Sequence, residues 1–101
     1  MITGFTGLPQ SYDDKTFNLN KFLIKHPSST FFMHVESGSY TRMGIYNGDL
    51  LIIDRSKALS PNSLVVYENE GRFTLGRLFN IHSETVIVGS IVYVIHKVKD
   101  G

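Results

Sequence analysis

From residue 30 onward, apolar and polar side chains alternate with a period of two, the pattern of strands with unlike faces. In residues 30–36, Phe31, Met33 and Val35 fall on one side and Phe32, His34 and Glu36 on the other. Residues 50–53 form a continuous apolar run, expected of a strand covered on both faces. Residues 64–67 and 72–79 flank Glu70-Gly71, which predicts a hairpin. Two further strands are expected at 84–88 and 91–98, separated by a break at Gly89-Ser90. Asn47-Gly48 and Ser60-Pro61-Asn62 mark turns. The last strand is apolar on both alternating sets, Ile91, Tyr93 and Ile95 against Val92, Val94 and Val98. Such a strand needs cover from its own domain or from a second copy.

The chain before residue 30 reads differently. Residues 1–17, punctuated by Gly4, Gly7 and Pro9, sustain no period and are expected to form an extended arm. Asn18 is a good N-cap, and Leu19, Phe22 and Leu23 share a helical face, which predicts one short helix over about 18–26. Pro27 stops it. The expected architecture is therefore mainly β: an arm over 1–17, then a single barrel- or sandwich-like domain over 18–101.

Composition narrows the function classes. A length of 101 residues, 42% of them hydrophobic, suits one domain with one core. Ten Lys and Arg balance nine Asp and Glu, so no direct nucleic-acid binding through bulk charge is expected. The chain has no cysteine, which excludes disulfides and thiolate chemistry. No apolar run approaches the roughly 20 residues of a membrane span, and no leader pattern is visible. A cytoplasmic location without membrane association is the expectation. His26, His34, His82 and His96 are widely spaced, and no phosphate-binding glycine loop occurs, so no metal or cofactor is expected. The histidines are expected on the surface or on strand faces. Phe5, Phe31, Phe32, Phe73 and Phe79 are expected in the core, while Tyr40 and Tyr46 bracket a loop.

One segment carries chemistry. In Glu36-Ser37-Gly38-Ser39-Tyr40, Ser39 follows a glycine at the end of a strand, where a bend exposes a hydroxyl and turns backbone N–H groups outward. Downstream, residues 44–54 read Gly-Ile-Tyr-Asn-Gly-Asp-Leu-Leu-Ile-Ile-Asp. Together these resemble the signature of the LexA/UmuD self-cleaving serine peptidases, in which the serine of an S-G-D-S-M motif precedes a G-D-L-L-I-V-D strand. Thr3-Gly4-Phe5, the segment Leu-Asn-Lys-Phe-Leu-Ile-Lys-His-Pro at 19–27, and Gly71-Arg72-Phe73-Thr74-Leu75 also resemble the UmuD branch. The match runs without a gap over residues 3–78 and resumes over 89–98.

The resemblance implies a small β-domain and a Ser–Lys dyad, with the nucleophile position on Ser39. A neutral lysine would accept the serine proton. That lysine follows F-T-V in the family, and here the position falls on Gly76, which has no side chain. Arg77 stays protonated and alternates onto the other strand face. Ser37, Gly38 and Tyr40 also depart from the motif. The family's small-Gly cleavage bond aligns with Thr3-Gly4, so the chain resembles the processed form, and the connection over 81–88 is shorter than in relatives.

The resulting expectation is a non-catalytic, UmuD-like accessory protein of error-prone translesion synthesis in the SOS response. It would act as a homodimer that binds a Y-family DNA polymerase subunit, with a RecA filament as a further partner. The competing reading keeps Ser39 active with a displaced lysine, although nothing in the spacing aims Lys97 or Lys99 at Ser39. A third is a mobile-element relative with another protein-binding role.

Overall fold

The computed structural model describes residues 18–98. The arm expected over 1–17, with Phe5 and the Thr3-Gly4 bond, lies outside them, as does Lys99. The helix is shorter than its periodicity predicts: α1 spans Leu19–Leu23. Asn18 caps it through Oδ1, which accepts the Lys21 N–H at 3.2 Å. Ile24 is already extended, and Pro27–Ser29 forms a separate 3-10 turn with proline at its start.

Five strands follow, β1 Thr30–His34, β2 Leu50–Asp54, β3 Leu64–Asn69, β4 Arg72–Arg77 and β5 Ile87–Ile95. All pairings are antiparallel, in the order β1-β2-β5-β3-β4. Mainly-β architecture is thus what the chain adopts. β2 is covered on both faces as its apolar run requires: Leu51, Ile52 and Ile53 are buried. The core gathers Val35, Ile45, Leu51, Ile53 and Val66, with Phe31, Met33, Tyr40, Leu75 and Ile91 packed against it.

β5 corrects two expectations. Residues 87–95 are one strand, not two, and it ends at Ile95, leaving Val98 exposed outside it. Gly89 does not break the chain; it lets the sheet close. It sits opposite Val66, and a Cβ there would lie 2.7 Å from Ile53 Cγ2. The strand also absorbs a register shift against each neighbour, the signature of bulges that bend a sheet. Because β2 and β3 flank β5, both its edges are paired within its own domain, and among the described residues the open edges belong to β1 and β4; Val94 and Ile95 at the end of β5 remain exposed.

Other boundaries shift for local reasons. β1 ends at His34, and β4 ends at Arg77, where Leu78–Asn80 turns as a 3-10 helix. Of the phenylalanines expected inside, Phe31 packs on the core, whereas Phe32, Phe73 and Phe79 are more than half exposed. Phe32 and Phe73 lie on edge strands, on or near the open margins of the sheet.

The β3–β4 hairpin turns through Glu70 (φ 52°) and Gly71 (φ 79°), both left-handed. Two positive φ angles define a type I′ turn, which favours Asn-Gly. Glu70→Asn should therefore raise unfolding stability by about 0.5–1 kcal/mol in urea titrations, the usual scale of turn relief. Gly89→Ala should lower it by about 1–3 kcal/mol, because the added methyl overpacks Ile53. An unchanged midpoint for Gly89→Ala would contradict this packing.

Candidate functional site

Ser39 stands in the loop between β1 and β2, and the loop is built from its two ends. Where β1 stops, Val35 donates its N–H to the Asp49 carbonyl at 2.9 Å and accepts the Gly48 N–H at 2.7 Å. The Asn47-Gly48 turn is thereby held against the strand end. The Tyr40 carbonyl accepts the N–H groups of Met43 and Ile45, closing the 3-10 turn Thr41–Met43. Tyr40 is half-buried, and its hydroxyl accepts the Leu75 N–H at 3.4 Å, on an edge strand. The loop is thus pinned to β4 as well as to β1.

These contacts frame a cleft of about 400 Å³, lined by Met33 and His34 of β1, Glu36, Ser37 and Tyr40 of the loop, and Arg72, Phe73 and Leu75 of β4. Both open edges contribute, so the sheet curls and leaves a gap where a barrel would close. Ser39 is exposed beside it. No lysine lines the cleft among the described residues.

The backbone at Ser39 is not free. Its N–H donates to Ser37 Oγ at 3.0 Å, a local turn contact that serine favours. Ser37 stands where the resembled motif has glycine, so the departure itself supplies the acceptor. A donor aimed at a developing oxyanion must be unoccupied.

Gly76 pairs with Val65 in β4. A Cβ at this position would meet Tyr67 Cε1 at 3.4 Å and Ile81 at 3.9 Å. Neighbouring Leu75 alternates to the other face, where it packs on the core beside Tyr40. A side chain at 76 therefore starts out against Tyr67 and Ile81, and no atom of the 37–40 turn is among its three nearest neighbours.

Two polar pairs went unread in the sequence. Asp49 and Asp54 are buried at the two ends of the Gly-Asp-Leu-Leu-Ile-Ile-Asp run, and each receives a histidine. His96 Nδ1–H donates to Asp49 Oδ1 at 2.6 Å, and the Tyr46 N–H donates to Oδ2 at 2.8 Å. His26 Nδ1–H donates to Asp54 Oδ2 at 2.6 Å, while the Ser56 N–H and hydroxyl donate to Oδ1 at 2.8 and 2.7 Å. An ionised carboxylate only accepts, so each aspartate fixes the proton on Nδ1 of its histidine. Burial pushes the Asp49 carboxyl up, but the Tyr46 N–H and the bond and charge of His96 outweigh it and hold it below its ordinary value. The His26 bond, then the Ser56 hydroxyl, lower Asp54 to about 2 against the opposing effect of burial. Wide spacing hid these pairs, because 28 and 47 residues separate the partners.

A model of the Peptidase S24-like family matches residues 2–94. Among individual relatives, the chain is similar to the protein ImpA of Escherichia coli, at 28% identity over 96% of this chain and 79% of ImpA. It is similar to MucA of Escherichia coli at 37% identity, covering 74% of this chain and 51% of MucA. SamA of Salmonella typhimurium shows 32% identity over 74% of this chain and 54% of SamA. A curled β-domain bearing a serine on the loop before a Gly-Asp-Leu-Leu element is the framework of a serine peptidase of this type. The chain belongs to the Peptidase S24-like family, as a UmuD-like member of its LexA/UmuD group. The ImpA alignment runs over 115 positions, longer than this chain, so ImpA carries residues within the matched span that are missing here.

The low Asp54 value sets a direction for acid stability. Its folded value of about 2 lies below the ordinary 3.8. The stability it contributes is complete above about pH 5 and is lost as pH falls through 3.8 toward 2. Urea midpoints should drop over that window, and Asp54→Asn should flatten the drop. At neutral pH the same substitution should cost about 1.5–3 kcal/mol, the scale of hydrogen bonds to a charged group. An identical acid profile in the variant would show that the His26–Asp54 pair is not what titrates.

Proposed function

We propose that this protein is a non-catalytic, UmuD-like accessory factor of error-prone DNA synthesis, acting as a homodimer that binds a translesion polymerase subunit. The observation that carries the reading is Gly76: the strand position that the family resemblance assigns to the base has no side chain. A serine without a base is a poor nucleophile at neutral pH. The Ser37 contact to the Ser39 N–H and the cleft lining without lysine among the described residues support the same reading. Kinship with ImpA, MucA and SamA supports placing it among the UmuD-like proteins.

What such a chain retains is surface. Among the described residues β1 and β4 leave two strand edges open, and Phe32 and Phe73 are 53% and 58% exposed on them. Unpaired edges with apolar side chains suit strand addition or a symmetric partner. Equilibrium sedimentation should give a dimer at tens of micromolar, the concentration at which about micromolar self-association saturates. A monomer there would count against the assembly.

Catalysis has a separate test. Wild-type protein should leave a peptide with a small-Gly bond intact from about pH 7 to 10, the range in which a lysine base would deprotonate. Gly76→Lys alone should also be silent, since the Ser39 N–H stays bonded to Ser37 Oγ. Gly76→Lys with Tyr67→Ala and Ser37→Gly should cleave weakly, and adding Ser39→Ala should abolish it. Wild-type cleavage that disappears in Ser39→Ala would overturn the non-catalytic reading and show that another group serves as base.

A further inference from the structure

On the other side of the sheet from the Ser39 loop's anchor at Tyr40, α1 packs over β5, where the Phe22 and Tyr93 ring centroids are 6.3 Å apart. Beside this contact lies a cavity of about 320 Å³, lined by residues that include Lys25, His26, Asp54, Lys57 and Tyr93. A second cavity of about 280 Å³ adjoins it, sharing Lys57, Val92 and Tyr93 and adding Arg77. Neither cavity belongs to the serine cleft.

The charges in this pocket do not cancel. Asp54 is its one carboxylate, and both of its oxygens are already occupied, by His26 on one side and by two Ser56 donors on the other. Lys25, Lys57 and Arg77 form no ion pair among the described residues. Lys25 is steadied by the Phe22 ring, 5.6 Å from its Nζ, and the Arg77 guanidinium donates one bond to the Asn62 carbonyl. His26 is braced through its backbone by the Thr30 hydroxyl and through Nδ1 by Asp54, leaving Nε2 as its unengaged nitrogen. A carboxylate that already takes three donors, set among several cationic groups, disfavours a metal ion and suits an anion.

We propose that this pocket is a binding site for a phosphate-class anion, held by Lys25 and Lys57, with the Tyr93 ring at its apolar wall and His26 lining it. The volume is on the scale of small-ligand sites, roughly 300 Å³ and upward. Compact, freely rotating ammonium groups neutralise a tetrahedral oxyanion as point charges. The anion has two natural sources, a terminal phosphoryl group such as that of a nucleotide, and a phosphodiester backbone.

NMR titration of the full chain tests the site. Sulfate, whose charge is constant, and inorganic phosphate should shift the His26 Cε1–H and Tyr93 ring resonances saturably, beyond what chloride does at equal ionic strength. Lys25→Gln and Lys57→Gln, both at exposed positions, should each weaken binding by about tenfold, the loss of one charge-assisted contact. Displacement by a 5′-mononucleotide assigns the terminal phosphoryl source, and displacement by oligothymidylate alone assigns the backbone; either supports the site. Absence of a saturable shift at tens of millimolar, or shifts indifferent to both lysine variants, would overturn it.

Discussion

Asp49 and Asp54 bracket the most deeply buried strand of the sheet, and a carboxylate in that position persists only with its oxygens fully paired. The partners come from far along the chain. His96 follows β5 and His26 follows α1, so each bond fastens a remote segment to one end of β2. Asp49 does more than hold His96. Its backbone carbonyl takes the Val35 N–H and its side chain takes the Tyr46 N–H, which sets both feet of the loop bearing Ser39. Asp54, through His26, ties the segment after α1 to the sheet and forms one wall of the anion pocket. The position of the serine loop, the seat of the helix and the polar pocket all depend on these two buried charges.

That dependence explains how a peptidase framework persists in a chain read as non-catalytic. The Gly-Asp-Leu-Leu-Ile-Ile-Asp run is retained because it is structural: Leu51, Ile52 and Ile53 fill the interior while its aspartates hold the ends. Ser37 and Gly76, where the resemblance fails, contribute little to that interior. Ser37 is a loop residue bonded to the next turn, and Gly76 lies on an edge strand with Tyr67 beside it. Residues of this kind change without loss of the fold, so fold and chemistry separate.

Much of the architecture was legible because it is written at short range. The alternation over 30–36, the apolar run at 50–53 and the Glu70-Gly71 turn each encode a strand or hairpin within a few residues. The failures occurred where long-range packing decides. Gly89 looks like a break until its contact with Ile53 makes a glycine obligatory within β5. β5 looks like an exposed apolar edge until β2 and β3 are seen on either side. The motif places Ser39 in the loop after the first strand, whereas the Ser37 bond and the Tyr67 and Ile81 neighbours of position 76 depend on the folded chain. The His–Asp pairs left no local signal, since single histidines and aspartates far apart look like ordinary surface residues.

The central claim, that Ser39 is not an activated nucleophile, is tested most directly by covalent labelling. A fluorophosphonate reacts with serines whose hydroxyl is activated by a neighbouring base and spares ordinary ones. Mass spectrometry of the wild-type protein after exposure across neutral to alkaline pH should find no adduct on Ser39. A stoichiometric adduct at Ser39 that grows with pH would contradict the account, because it would require a working base in this cleft.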